Sequence, residues 1–187
     1  YAAALENGFK PNDLILDAPF VLDQNKGEFK WKPSNYGKKF YGLNTFRSGI
    51  EKSKNLTTVR IAQKVGLDKI NSISKKLNIY NEPIQILSYS LGSGETNLIN
   101  LASAYASFVN GGKKISPTLI DHIQDQNGKT IFKNKNIECN GCNKDYLKGK
   151  PPTIKYNFER VFSDSTAFQM VNILKGVVDR GTAKKIK

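Results

Sequence analysis

Histidine, methionine and tryptophan each occur once among the 187 residues, and cysteine twice. Cys139-Asn140-Gly141-Cys142 is a lone C-x-x-C with one distant histidine beside it, short of the roughly four ligands of a structural zinc site. No metal and no cofactor are expected. Long apolar runs are missing too: nothing approaches the roughly 18 consecutive apolar residues of a membrane span, and no charged-then-apolar leader pattern occurs. Arginine is scarce. Of 29 basic residues only Arg47, Arg60, Arg160 and Arg180 carry a guanidinium, against 16 acidic residues and a formal net charge of +13. Base readers rely on the bidentate guanidinium fork, and no reader motif is present, so nucleic acid is excluded as a partner. Lysines scattered along the whole length instead mark solvated faces, or attraction to an anionic membrane or polymer.

What is present has the composition of a globular chain, 39% hydrophobic and 24% charged, long enough for one domain with its own core. Both ends are abrupt. "YAAALENGF" reads as the last turns of a helix closed by Asn7-Gly8, and "VVDRGTAKKIK" stops on a charged run, so the chain is expected to be an excised piece of a longer protein. Residues 13–22 are apolar and extended, broken by Pro19. Residues 23–42 are turn-rich and aromatic, read as an ordered loop. Helical spacing follows over 56–65 and at Ile70, Ile73 and Leu77. Thr96 is the expected cap of the next helix, with Leu98, Leu101, Ala102, Tyr105 and Val109 on one face. Asn127-Gly128 is the expected two-residue turn of a β-hairpin. Residues 134–160 are polar, lysine-rich and contain both cysteines, as an exposed insertion would. A last helix starts near Ser165 and uses Met170, Leu174, Val177 and Val178. The sum is α+β and rich in helix. Its two amphipathic helices are expected to pack by burying Leu98, Leu101 and Tyr105 against Met170 and Leu174.

The chemistry-bearing residues are few. His122 lies beside Asp121 in the hairpin and reads as a strand-surface histidine without catalytic partners. Cys139 and Cys142 read best as a local disulfide across a tight Asn-Gly turn, with free thiols as the alternative. "GKT" at 128–130 lacks the earlier glycine of a phosphate-binding loop, and "GSGETN" at 92–97 lacks the third glycine of a dinucleotide loop. Ser53-Lys54-Asn55 remains, immediately before a helical pattern.

Its surroundings change its meaning. "WKPSNYGKKFYG", "TFRSGIEKSKN" and "TTVRIAQKVG" resemble the stretch around the second active-site motif of class A (bifunctional) penicillin-binding proteins. "LSYSLGSGETNLINLASAYASFVNGG" resembles the helix that follows it, "NGKTIF" the hairpin, and "MVNILKGVVDRGTAKK" the helix before the third motif. The resemblance covers nearly all of 1–187, apart from about 134–160. It implies the helix-rich part of a penicillin-binding protein or serine β-lactamase-like transpeptidase fold, with a β-hairpin.

That site type needs a Ser-x-x-Lys nucleophile motif, a Ser-x-Asn motif and a Lys-Thr-Gly strand. The resemblance assigns Ser53 a proton relay towards the leaving amine. It assigns Asn55 an amide that holds a lysine or the substrate's peptide carbonyl. Lys54 fills the variable position, with its head expected in solvent. "SISK" places Ser72 and Lys75 at nucleophile spacing, but downstream of Ser53 and on the polar side of an amphipathic segment, so Ser72 is not the nucleophile; Ser74 is no better. No Lys-Thr-Gly occurs. The resemblance puts the nucleophile motif just before Tyr1 and the Lys-Thr-Gly strand just after Lys187. It implies a parent enzyme that cross-links peptidoglycan stem peptides and binds β-lactams on the periplasmic face of the cytoplasmic membrane, anchored from outside this segment. The chain alone is expected to be inactive, and to dimerise or rearrange over its uncovered apolar face. The alternative is a non-catalytic structural or binding module that keeps the fold.

Overall fold

The computed structural model describes all residues except 25–28, 135, 136, 141 and 143–150. Helix α1 (Ala2–Glu6) ends at Asn7, and Gly8 follows with φ +89°. The extended segment supplies β1 (Leu14–Asp17) and β2 (Leu22–Gln24). The turn-rich stretch after it is more regular than a loop. It contains β3 (Phe29–Trp31), antiparallel to β2, and leads into β4 (Gly42–Thr45), antiparallel to β1 with Asp17 opposite Gly42.

Three helices follow in quick succession: α2 (Phe46–Glu51), α3 (Asn55–Val65) and α4 (Leu67–Lys76). Helix α3 is the centre of the molecule. Leu56, Val59 and Ala62 face Phe20 and Leu87, while Ile61 and Val65 join Ala3, Ala4, Phe46, Met170 and Ile173. Apolar residues on two sides make α3 a buried helix rather than a surface one. Phe46 is fully buried, edge-on to Tyr1 with ring centroids 4.9 Å apart. Gly49 on α2 allows this packing, since a Cβ there would collide with the Tyr1 hydroxyl and with Thr57. The Tyr1 hydroxyl is paired with Thr58 Oγ1 at 2.9 Å, and burial raises its pKa well above the usual phenol value.

Helix α5 (Leu98–Val109) is capped by Asn97, whose side chain accepts from the Asn100 N–H at 2.8 Å, one residue later than the expected Thr96. Helix α6 (Asp164–Asp179) is capped by Ser163. The expected packing of these two helices is overturned. Met170 is buried, but Leu98 is 83% and Tyr105 53% exposed, and Leu101 is exposed with them. The residues that α5 buries are Ala104 and Ser107, with Phe108 stacked on Phe162 at 5.0 Å. Ala104 packs on Leu77 and Phe162, and Leu101 and Tyr105 stay exposed along a cavity that Met170 and Leu174 also line.

The hairpin is β5 (His122–Gln124) with β6 (Thr130–Lys133). Its turn is wider than two residues. The Gly128 N–H donates to Asp125 O at 3.0 Å, and the Asp125 N–H donates to Lys129 O at 2.9 Å, which leaves three residues in the loop. Asp125 Oδ1 accepts from the Asn127 and Lys129 N–H groups, and Gly128 takes the left-handed position with φ +78°. A local side-chain acceptor and a type I turn followed by glycine thus replace the primed two-residue turn. His122 sits on the surface, Nδ1 3.0 Å from Asp121 Oδ2.

Strands β7 (Ile137–Asn140) and β8 (Thr153–Tyr156) pair antiparallel. Cys139 and Cys142 are joined as a disulfide with Cα atoms 5.8 Å apart. Thiol titration of the oxidised, unfolded chain is expected to find no free sulfhydryl, and two would contradict the pairing. Among the described residues no helix is long and apolar enough to cross a membrane, and no cluster of potential metal ligands is found.

Candidate active site

Ser53-Lys54-Asn55 fills the joint between α2 and α3, and the joint has a defined geometry. The Ser53 N–H donates to Ile50 O at 3.0 Å and the Lys54 N–H to Gly49 O at 2.8 Å. Counting back from Glu51, the last helical residue, these are the two bonds of a Schellman helix end. That motif wants glycine at the position Ser53 occupies, and Ser53 has φ +51°. Serine thus stands left-handed where glycine would be unstrained. Ser53→Gly is therefore expected to raise the melting temperature of the chain by about 2 °C, because relief of the left-handed strain exceeds the entropy cost of glycine by about 0.5–1 kcal/mol. An unchanged or lower midpoint would remove the strain from the argument.

Ser53 is exposed and opens on a cleft of about 980 Å³, which Asn55, Tyr41, Lys52 and Thr182 also line. Asn55 begins α3, and its Nδ2 donates to Ser34 O at 2.9 Å. The loop of residues 32–41 is tied to the motif again by Asn35, whose Oδ1 accepts from the Leu56 N–H at 3.3 Å. The Asn35 amide nitrogen donates to both oxygens of Asp17, at 2.8 and 3.1 Å, and to Lys39 O at 2.9 Å.

Lys54 does not reach into solvent. Its side chain is 11% exposed, with Nζ 3.9 Å from Asp17 Oδ2 and 4.1 Å above the Tyr41 ring. Asp17 has no exposed surface. Its buried charge needs donors and a counter-charge, and Asn35 and Lys54 supply them. Asp17, Asn35 and Tyr41 had no role in the sequence reading. One signal was available for Asp17: the alternation of β1 puts it on the same inward face as Ile15. Ser72 and Lys75 stand exposed on α4, apart from the cleft, while Ser74 is buried and donates to Asn71 O.

Across residues 1–187 the chain matches the model of the penicillin binding protein transpeptidase domain. The chain belongs to that family. Penicillin-binding protein 1A of Rickettsia conorii is 43% identical over 192 residues, covering 100% of this chain and 24% of that protein. The protein of the same name from Pseudomonas aeruginosa is 30% identical over 133 residues, 71% of this chain and 16% of its own length. The crystal structure of penicillin-binding protein 1A from Haemophilus influenzae superimposes with a TM-score of 0.81 at 28% identity, covering all of this chain and 30% of that one. Penicillin-binding protein A of Mycobacterium tuberculosis shares the fold, with a TM-score of 0.67 at 17% identity. The class A resemblance and the α+β transpeptidase fold both stand on these matches, exposed α5 stripe included. The chain spans about a quarter of the length of the curated relatives it matches.

Proposed function

We propose that the full-length protein is a serine-type D,D-transpeptidase that cross-links peptidoglycan stem peptides through an acyl-serine, and that β-lactams acylate the same serine. It would work on the periplasmic side of the cytoplasmic membrane, anchored outside these residues. The observation that carries this reading is Ser53 in its left-handed position, open to the cleft and beside Asn55, in a chain of the transpeptidase family. In support, the Mycobacterium tuberculosis protein of the same fold was solved as an acyl-enzyme complex with penicillin G.

The upstream serine attacks the carbonyl of the D-Ala-D-Ala bond. The bond to the terminal D-Ala breaks, and its amine needs a proton as it leaves. Ser53 can pass that proton along its hydroxyl. Asn55 Nδ2 is committed to Ser34 O, so the side-chain oxygen is the atom left to accept from an ammonium group such as the lysine of the nucleophile motif. The acyl-serine then yields to the amine of a second stem peptide. Residues 134–160, of which 135, 136, 141 and 143–150 lie outside the described residues, would be an insertion without a part in the chemistry. The isolated chain self-associates through the exposed Leu98, Leu101 and Tyr105 stripe.

The test is release of D-alanine and formation of a cross-linked dimer when the full-length protein is given a stem pentapeptide. Both should disappear after treatment with penicillin. No release and no β-lactam adduct would turn the account towards a non-catalytic module of the same shape.

A further inference from the structure

Among the described residues two carboxylates are buried, Asp17 and Glu51, and the mechanism above uses neither. Glu51 is the last residue of α2, two positions before Ser53, and only 4% exposed. Arg180 grips it with two parallel bonds, Nε to Oε2 at 2.9 Å and Nη2 to Oε1 at 2.5 Å. Arg47 Nε adds a third at 3.2 Å to Oε1, and its Nη2 donates to Asn172 on α6 at 2.7 Å. The backbones are fastened alongside: the Thr182 N–H donates to Glu51 O at 3.1 Å, and Lys52 Nζ donates to Arg180 O. Two glycines make room. A Cβ on Gly176 would strike the Glu51 carboxylate, and one on Gly181 would strike the Glu51 carbonyl. Glycine in a helix interior is unfavourable, and at Gly176 the carboxylate occupies the space a side chain would need.

An ion pair of this kind is a poor way to gain stability, since apolar replacements of similar volume often do as well. What a two-bond guanidinium fork supplies is direction. Here it joins residues 129 positions apart in the chain, and both of its ends lead to the cleft. Ser53 follows Glu51, Thr182 follows Arg180, and both line it.

We propose that Glu51 and Arg180 are positioning residues, whose paired side chains fix Ser53 against the turn at 180–183 so that the acyl donor is held between the Ser-x-Asn motif and Thr182. This rests on the transpeptidase reading of the cleft. Misplacing one wall by about 1 Å is enough to cost roughly 10²-fold in rate.

The test uses the full-length protein and a chromogenic β-lactam in stopped flow, which separates initial binding from the acylation rate constant. Glu51→Gln removes the charge with little change of shape. Arg180→Lys keeps the charge and loses the fork. Each is expected to lower the acylation rate constant roughly 10- to 100-fold while initial binding changes less than about threefold, the pattern of an interaction realised in the transition state. Wild-type acylation rate constants in both variants would overturn the proposal, as would equal losses in binding and acylation. Should Glu51→Gln fail to fold, Arg180→Lys decides alone, because the Arg180 side chain is 52% exposed. Ser53→Ala is measured beside them. If it too acylates at the wild-type rate, the reading of the cleft falls; if it alone is slow, only the clamp falls.

Discussion

Ser53→Ala in the full-length protein is expected to lower the rate of β-lactam acylation by roughly 10²-fold or more, the scale of lost acid–base assistance. The substitution keeps the backbone: alanine tolerates the left-handed position no better than serine, and the two Schellman bonds are made by main-chain groups. A loss of rate without a loss of fold is therefore a loss of the hydroxyl. Asn55→Ala adds a second defect, because Asn55 Nδ2 also ties the loop of residues 32–41 through Ser34 O. It should weaken substrate positioning as well as acylation. Wild-type acylation in both variants would return Ser53-Lys54-Asn55 to the status of a helix-start loop.

Asp17→Ala should carry the largest effect on stability, about 3 kcal/mol, within the range seen when one member of a buried pair is removed. Asp17 accepts twice from Asn35, faces Lys54 and has no exposed surface of its own. Removing the carboxylate leaves a mostly buried ammonium with only the Tyr41 ring beneath it, and leaves one donor of the Asn35 amide unpaired. Chemical denaturation of the chain should show a lower midpoint with an unchanged denaturant slope. Lys54→Met should also destabilise, since it leaves the fully buried Asp17 carboxylate with Asn35 but without a counter-charge. A cost under about 0.5 kcal/mol for Asp17→Ala would show that the Asp17, Asn35 and Lys54 network does not hold the loop.

Helices α3, α4 and α6 were legible because apolar residues recur at helical spacing and each meets a partner within this chain. The stripe on α5 was equally clear and pointed the wrong way. Periodicity measures which side of a helix is apolar, not which side has a neighbour, and here Ala104 packs on Leu77 and Phe162 while Leu98 and Tyr105 stay exposed. Ser53 and Asn55 were found through the resemblance of their surroundings, and the structure adds the left-handed strain that local composition hides. Lys54 was misjudged because its counter-charge is Asp17, 37 positions earlier, a contact no window of local sequence contains. Glu51 and Arg180 were invisible for the same reason, being joined only when α2 folds against the end of α6. The hairpin was placed well and its turn misread, since Asp125 supplies a side-chain acceptor that favours the longer loop.

The most direct measurement of the central claim is intact mass after incubation with penicillin, made on the full-length protein and on the 187-residue chain side by side. In the proposed reading Ser53 and Asn55 assist a nucleophile that the family pattern places before Tyr1, and covalent catalysis needs that activated group. Removing one member of a cooperating set can cost nearly as much as removing all. One β-lactam adduct per molecule is expected on the full-length protein, on a serine outside residues 1–187, and none on the isolated chain. A stoichiometric adduct on Ser53, Ser72 or any other residue of the isolated chain, or no adduct on the full-length protein, would contradict the account.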